Sequence, residues 1–159
     1  CPAHYYTNFT YWTQHCWGVT CVNDMEAMLS YQPITIGDKE QALADLVRCY
    51  EKMMMRSHTN GGYVNLLDEC WKMCEKFHTN IVIMYDHVSC KNVGGLHGLF
   101  EDQARERGIH LIWIPHDVMD PRTVSRREMR EAFSQYMVTV LNEKPLDPTL
   151  LDYEDTLSW

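Results

Sequence analysis

The residues best suited to chemistry lie in the segment 86–92, DHVSCKN, which follows the apolar run IVIMY. If that run is a buried strand of a parallel sheet, Cys90 lies beyond its carboxyl end, where such sheets bind ligands. Lys91 and the backbone amides of Gly94 and Gly95, at the entry of the next helix, would stabilise a thiolate there. The same features suit an anionic iron-sulfur cluster. The alternative is that Cys90 is a small buried residue at a strand end.

Two residues near this cysteine are weaker catalytic candidates. His87 and Ser89 flank it, and a histidine near a cluster can donate a hydrogen bond to sulfur or shuttle a proton to a substrate. A structural role fits both residues equally well. Among the other histidines, His110 is expected to be structural at the entry of a strand, and the role of His116 beside Asp117 is left open.

Polar residues also follow the next predicted strand. Asp117, Asp120 and Arg122 could form an acid pair that acts on a substrate. The Asp-Pro-Arg order also suits a turn with an arginine-carboxylate fork, and we favour this structural interpretation. The arginines that follow alternate with glutamates, which predicts a solvated helix face with ion pairs rather than a site for coenzyme A phosphates. This run consists of Arg122, Arg126, Arg127 and Arg130 with Glu128 and Glu131.

The chain has seven cysteines, whose number and spacing argue against disulfides or zinc. Seven is odd and no export signal is recognised, so a reducing cytoplasm is expected. Cys70 and Cys74 are about one helical turn apart, and Cys16 lies close to Cys21 in sequence. Neither pair has the two-residue spacing typical of a zinc knuckle. Cys70 and Cys74 are predicted to be core residues.

Hydrophobic periodicity predicts an α/β fold with a parallel sheet flanked by helices, of the flavodoxin-like kind. Capping residues and glycine turns delimit the helices, and two short apolar runs predict buried strands. The predicted helices are residues 8–16, 37–55, 63–77, 96–107 and 125–141, and the predicted strands are 19–22, 81–85 and 109–114. The buried face of helix 37–55 is expected to carry Ala42, Leu43, Leu46, Val47, Tyr50 and Met54, and that of helix 63–77 Val64, Leu66, Leu67, Cys70, Trp71, Cys74 and Phe77.

With 159 residues, of which 45% are hydrophobic, the chain can bury the core of one compact domain. We expect that domain over residues 1–143 and a surface tail over residues 144–159. No apolar run reaches the roughly 20 residues of a membrane helix. The net charge of -8 disfavours a nucleic-acid partner. The start at Cys1 has neither an initiator methionine nor a signal-like segment and is expected to be a cut inside a longer protein.

The segment 81–91, IVIMYDHVSCK, followed by residues 117–122, DVMDPR, resembles the C-terminal signature of the 2-hydroxyacyl-CoA dehydratase D-component family, which includes benzoyl-CoA reductase subunits. Looser similarity covers residues 7–9 with Trp12, residues 26–33 and residues 56–58. The resemblance extends over nearly all of the chain and is most specific around Cys90 and residues 117–122.

This resemblance implies that Cys90 is the ligand given by the C-terminal domain to a 4Fe-4S cluster, which the family holds through three cysteines. The other two ligands would lie in regions preceding Cys1, so the fragment alone is expected to be inactive. The implied activity is radical chemistry. An ATP-hydrolysing activator protein passes one electron to the cluster, which reduces an acyl-CoA thioester to a ketyl radical anion before water is eliminated. A homologous second subunit completes the enzyme.

Two alternatives remain open within the resemblance. One is a benzoyl-CoA reductase-type subunit, in which the same electron input dearomatises an aryl-CoA ring. The other is a non-catalytic member of the family that serves assembly or binding. The identity of the acyl group is not specified by these residues.

Overall fold

A computed structural model describes residues 8–25, 33–51, 56, 61–120 and 122–152. The chain divides into two compact units, one formed by residues 1–22 with 80–159 and the other by residues 23–79. The elements in chain order are helices α1 (Phe9–Trp17), α2 (Lys39–Glu51) and α3 (Tyr63–Phe77), strand β1 (Ile81–His87), helices α4 (Lys91–Gly94) and α5 (His97–Arg107), strand β2 (His110–His116), helix α6 (Arg126–Thr139) and the 3-10 helix η1 (Pro148–Leu150).

Strands β1 and β2 pair in parallel over their whole length, from Ile81 opposite His110 to His87 opposite His116. The connection between them runs through α4 and α5, which makes a β-α-β unit. Both strands contain isoleucines, whose branched side chains suit a pleated surface. This two-stranded parallel sheet flanked by helices confirms the predicted α/β class and is consistent with a flavodoxin-like fold.

The main core lies on one face of this sheet. Side chains alternate along β2, and Ile112 and Ile114 share the buried face, where they are 2% and 0% exposed. Aromatic and methionine side chains of α1 and α6 pack onto them; the buried cluster consists of Phe9, Trp12, Cys16, Trp17, Ile112, Ile114, Met129, Phe133 and Met137. On the opposite face, the Phe100 ring of α5 meets the Trp113 ring with centroids 6.2 Å apart. Helices therefore cover both faces of β2.

The residues after α6 return to α1. The amides of Leu146 and Asp147 donate to the Cys16 carbonyl oxygen at 2.7 and 3.3 Å, and Trp12 Nε1 donates to the Leu150 carbonyl oxygen at 2.9 Å. This part of the predicted tail therefore packs in the same unit as the sheet. The expected boundary at residue 143 stays a prediction.

The second unit contains helices α2 and α3. Asp38 accepts hydrogen bonds from the amides of Glu40 and Gln41 at 3.1 and 3.2 Å, so α2 begins at Lys39, two residues after the predicted start at residue 37. The predicted helical residues 52–55 lie outside the described residues. Helix α3 has the predicted bounds. Its predicted buried residues are confirmed at Leu66, Leu67, Cys70, Trp71 and Cys74, whereas Val64 and Phe77 are exposed.

The predicted buried face of α2 is wrong. Four of its predicted members are 41% to 57% exposed, namely Leu43, Leu46, Val47 and Tyr50. The side chains that α2 buries are Asp45 and Cys49. Asp45 can be buried because its carboxylate accepts hydrogen bonds from the Thr35 amide and hydroxyl and from Gln41 Nε2, at 2.9, 2.7 and 2.8 Å.

Several other predicted bounds change. Residues 19–22 are irregular, so the strand predicted there is wrong. Both sheet strands extend to the histidines at 87 and 116, and β1 is half-buried over residues 81–86 rather than fully buried. Gly108 ends α5 in the left-handed conformation, φ 67°, as predicted. Within the part of the chain that the structure describes, every helix is too short or too polar to span a bilayer.

Candidate functional site

The candidate site lies at the carboxyl edge of the sheet. Because His87 and His116 are paired in register, the loops that follow β1 and β2 leave the sheet side by side. The amide of Val88 donates to the His116 carbonyl oxygen at 3.0 Å, which extends this pairing into the first loop. Asp117 follows directly in the second loop. The edge thus brings together residues that are far apart in sequence, as expected for a ligand site on a parallel sheet.

Cys90 lies in the first of these loops, immediately before α4. Its amide donates to the His87 carbonyl oxygen at 2.9 Å, and its own carbonyl oxygen accepts from the Gly94 amide at 3.0 Å. The residue is half-buried and is not in a disulfide. The backbone on both sides of Cys90 is therefore held by hydrogen bonds, and the residue remains accessible to a ligand.

The three residues expected to stabilise a Cys90 thiolate differ in what they do. The amides of Gly94 and Gly95 donate to the carbonyl oxygens of Cys90 and Lys91, each at 3.0 Å. These amides are used within the turn of α4, and their stabilisation of a Cys90 thiolate stays a prediction. Lys91 is exposed next to the cysteine, and its electrostatic support of a thiolate stays a prediction.

His87 is the buried centre of the site, at 8% exposure. Its Nδ1 accepts a hydrogen bond from the Ser89 amide at 3.1 Å and lies 3.0 Å from the Ser89 hydroxyl. Because an amide can only donate, Nδ1 carries no proton in this arrangement and the ring proton is on Nε2. Nε2 lies 3.7 Å from Asp117 Oδ1. Both ring nitrogens of His87 are thus directed to Ser89 and Asp117 rather than to the sulfur of Cys90.

Asp117 is a buried carboxylate that forms a turn at the end of β2. Its Oδ1 accepts hydrogen bonds from the amides of Met119 and Asp120 at 2.9 and 3.2 Å. These hydrogen bonds, led by the one from Met119, lower the pKa of the Asp117 carboxyl below its usual 3.8, and the Thr123 side chain and nearby His87 add to this. Asp117 is therefore charged at neutral pH. The contact between Asp117 and His87 was not predicted, although each residue follows one of the two predicted strands.

Asp120 and Arg122 form the arginine-carboxylate fork that was expected in this turn. Arg122 Nε donates to Asp120 Oδ1 at 2.9 Å and Nη2 donates to Oδ2 at 2.7 Å, which is the expected fork. Arg122, mainly through its side-chain hydrogen bonds, holds the pKa of the Asp120 carboxyl below its usual value. Pro121, expected to fix this turn, lies outside the described residues.

His116 and His110, the two histidines of β2, pack against other side chains of the fold. His116 is fully buried, and its ring meets the edges of His87 and Tyr85 with centroids 5.2 and 5.8 Å apart. It packs the His87 ring from the side. His110 opens β2 as predicted, and its Nδ1 lies 3.4 Å from the Tyr136 hydroxyl.

The arginine run is only partly a solvated helix face. Arg127 pairs with Glu131 at 2.7 Å, as predicted. Arg126 is half-buried. Arg130 is 5% exposed and lies over the Trp12 ring, 5.6 Å from its centroid, so its predicted exposure is wrong. The reason is that α6 packs this face onto α1, where a guanidinium can stack on an aromatic ring.

The described residues contain no group of three histidine, cysteine, aspartate or glutamate side chains that could hold a metal ion. Cys70 and Cys74 are core residues, 1% and 6% exposed, as predicted. Cys16 is buried and Cys21 is exposed. Within the described residues, Cys90 is therefore not part of a ready-made group of three such side chains.

Comparison with known proteins gives one family. The family model described as 2-hydroxyglutaryl-CoA dehydratase, D-component, matches residues 1–137. No curated protein and no solved structure matches the chain. The matched region includes both loops of the sheet edge, with Cys90, His87 and Asp117.

Proposed function

Because the chain belongs to the 2-hydroxyglutaryl-CoA dehydratase D-component family, we propose that it supplies Cys90 as one thiolate ligand of a 4Fe-4S cluster in a 2-hydroxyacyl-CoA dehydratase. The complete enzyme would add the other cluster ligands, a homologous second subunit and an ATP-dependent activator protein. The substrate class is an acyl-CoA thioester that carries a 2-hydroxyl group, and the overall reaction eliminates water.

The position of Cys90 is the observation that carries this proposal. It is half-buried at the carboxyl edge of a parallel sheet, between two backbone hydrogen bonds that hold it on either side, at 2.9 and 3.0 Å. Four other described cysteines, Cys16, Cys49, Cys70 and Cys74, are buried at 8% exposure or less. Cys90 thus combines accessibility with a fixed backbone, which a ligand residue requires.

The donor chemistry fits one corner of a cluster. Iron-sulfur clusters are held mainly by cysteine thiolates, and three protein ligands leave the fourth iron open to a substrate. The described residues provide a single thiolate at this edge and no complete metal group. We therefore expect the remaining ligands in other parts of the enzyme.

The residues of this chain have three tasks in the proposed reaction. When bound, the cluster would supply the single low-potential electron that the thioester accepts. Cys90 would hold it, and the exposed Lys91 would place a positive charge beside the anionic cluster. The buried pair of His87 and Asp117 would keep the loop in one conformation, so that the ligand is in place before the substrate arrives.

The test is anaerobic reconstitution of the complete subunit with iron and sulfide. Replacing Cys90 with Ser should lower the iron bound per subunit and remove the visible absorption of the cluster. Cys21→Ser is the matched control, because Cys21 is exposed and lies outside the sheet edge. An iron content unchanged in Cys90→Ser would sink the assignment. Assaying the activated wild-type complex with 2-hydroxyacyl-CoA and aryl-CoA thioesters then separates a dehydratase from a benzoyl-CoA reductase-type enzyme.

A further inference from the structure

A continuous set of contacts joins the end of β2 to the loop that carries Cys90. Asp117 lies 3.7 Å from His87 Nε2, His87 Nδ1 accepts from the Ser89 amide, and the Cys90 amide donates back to the His87 carbonyl oxygen. From this arrangement we propose that Asp117 is a positioning residue for Cys90, acting through His87 and Ser89. The consequence for the cluster rests on the function proposed above, whereas the positioning of the loop does not.

The first step is the link between Asp117 and His87. Both side chains are buried, at 8% and 9% exposure, so their interaction is less screened by water than that of a surface pair. A carboxylate near Nε2 favours the tautomer that has its proton on that nitrogen. At 3.7 Å the contact is electrostatic rather than a direct hydrogen bond. The His116 ring, T-shaped against His87 at an angle of 86°, restricts its rotation.

The second step is the link from His87 to the loop. With the proton on Nε2, Nδ1 is an acceptor for the Ser89 amide at 3.1 Å. The opposite tautomer would direct an N–H at the Ser89 N–H and break this bond. Ser89 precedes Cys90 directly, so its orientation sets the direction in which the Cys90 peptide starts. The charge of Asp117 in this way influences the orientation of Cys90.

Backbone hydrogen bonds hold this loop, but its side chains bury little surface. Val88 is 60% exposed, Ser89 is exposed and Cys90 is half-buried. The side chain that anchors this end of β1 in the interior is that of His87. Segments with few buried contacts open locally at low cost. Loss of the anchor should therefore loosen residues 88–90 while the sheet remains intact.

The primary variant is Asp117→Asn. Asparagine keeps an oxygen that can accept from the amides of Met119 and Asp120, so the turn is preserved and the charge facing His87 is removed. Asp120→Asn is the matched control, because it changes an acid of the same loop whose partner is the exposed Arg122. His87→Asn is the second variant. It retains an acceptor for the Ser89 amide but is too short to reach Asp117.

The first readout is hydrogen exchange, measured by mass spectrometry on the complete subunit without iron. Asp117→Asn should speed exchange in the peptide that covers residues 88–92 by about tenfold. Mutation of residues that support a metal ligand changes metal affinity by a factor of similar size. Peptides from the middle of β2 should not change. In the His87→Asn background the same replacement should change exchange less than about twofold, because coupled residues are not additive.

The second readout is the reconstituted cluster. Asp117→Asn should release iron to a chelator about tenfold faster than wild type and alter the electron paramagnetic resonance spectrum of the reduced cluster, whereas Asp120→Asn should do neither. Unchanged exchange in residues 88–92 of Asp117→Asn, or an equal effect of Asp120→Asn, overturns the positioning role. Retention of iron by Cys90→Ser instead overturns the proposed function, and the exchange data still decide the positioning role.

Discussion

His87 Nε2 lies 3.7 Å from Asp117 Oδ1, and this contact joins the ends of two strands that are separated in sequence by helices α4 and α5. The parallel register brings it about, because His87 is opposite His116 and Asp117 follows at once. The pair couples the loop of Cys90 to the turn after β2. The charge of Asp117 should therefore influence both the stability of the fold and the order of the loop.

The stability of the protein should depend on the ionisation of Asp117. Its pKa is lowered in the folded state, led by the hydrogen bond from the Met119 amide, relative to the usual 3.8. A lowered pKa stabilises the folded state fully above the unfolded value, and this stabilisation is lost as the pH falls through the lower folded value. Wild type should therefore be more stable than Asp117→Asn at neutral pH, and the gap should shrink once the pH falls below 3.8.

Urea unfolding of both proteins between about pH 7 and pH 3 measures this gap. Asp102→Asn is the control, because Asp102 forms an exposed pair with Arg105, with side chains 69% and 75% exposed, and exposed pairs contribute little. A gap between wild type and Asp117→Asn that stays constant over the whole range would contradict the prediction.

Local signals were sufficient for most of the elements. The spacing of apolar residues and the positions of glycines predicted α3 with its observed bounds, the end of α5 at Gly108 and both strands of the sheet. These features depend on backbone preferences that act over a few residues. Cys90 could be assigned to the edge of the sheet for the same reason, since strand and loop follow directly in sequence.

Features that depend on tertiary contacts were not predicted. The periodic apolar residues of α2 indicated a helix, but the face it buries holds Asp45, whose carboxylate is satisfied by Thr35 and Gln41. The hydrophobic pattern alone predicts that a carboxylate is exposed, because it does not show the hydrogen-bond partners that allow burial. The contact between His87 and Asp117 likewise needs the register of two strands, which no local pattern contains.

Helix α6 should depend on the capping box at its start. The Ser125 hydroxyl accepts from the Glu128 amide at 3.2 Å, and the Ser125 amide donates to Glu128 Oε2 at 2.7 Å. Ser125→Ala removes one of these bonds and should lower the free energy of unfolding by about 1 kcal/mol. Urea denaturation followed by circular dichroism measures the change.

Thr139→Ala provides the comparison at the other end of α6. The Thr139 hydroxyl donates back to the Gln135 carbonyl oxygen at 2.7 Å, and such a bond adds little to helix stability. Its replacement should alter the free energy of unfolding by less than about 0.5 kcal/mol. Equal losses in the two variants would show that the capping box makes no specific contribution.

Two glycines should resist replacement for a backbone reason. Gly18 and Gly108 end α1 and α5 with φ of 72° and 67°, a region that costs a residue with a side chain about 1 kcal/mol or more. A Cβ on Gly18 would also approach Leu146 Cδ1 at 2.8 Å. Leu146 is 73% exposed and can move aside, so both alanine variants should lose about 1 kcal/mol of stability.

Gly98→Ala should act in the opposite direction. Gly98 lies within α5, and a Cβ there meets no atom within 4 Å. Alanine in a helix is favoured over glycine by roughly 0.5–1 kcal/mol. Thermal unfolding of the three variants measures the order of their stabilities. A stabilised Gly18→Ala, or a destabilised Gly98→Ala, would contradict this account of the helix ends.

The cysteines should differ in their reaction with iodoacetamide according to burial. Cys21 is exposed and Cys90 is half-buried, so both should be alkylated in the folded protein. Cys16, Cys49, Cys70 and Cys74 are buried and should react only after local opening, at least about tenfold more slowly. Burial also raises the pKa of the Cys16 thiol, with Asp147 adding to the effect, which reduces its thiolate fraction further.

Cluster assembly should change this pattern at one position. In the complete subunit reconstituted with iron and sulfide, Cys90 should become resistant to alkylation, because a coordinated thiolate is no longer available as a nucleophile. Cys21 is exposed and should react at the same rate with or without iron, which makes it the internal control. Removing the iron with a chelator should restore the reactivity of Cys90. Equal labelling of Cys90 in the iron-loaded and iron-free subunit, measured by peptide mass spectrometry, would rule it out as a ligand without any mutation.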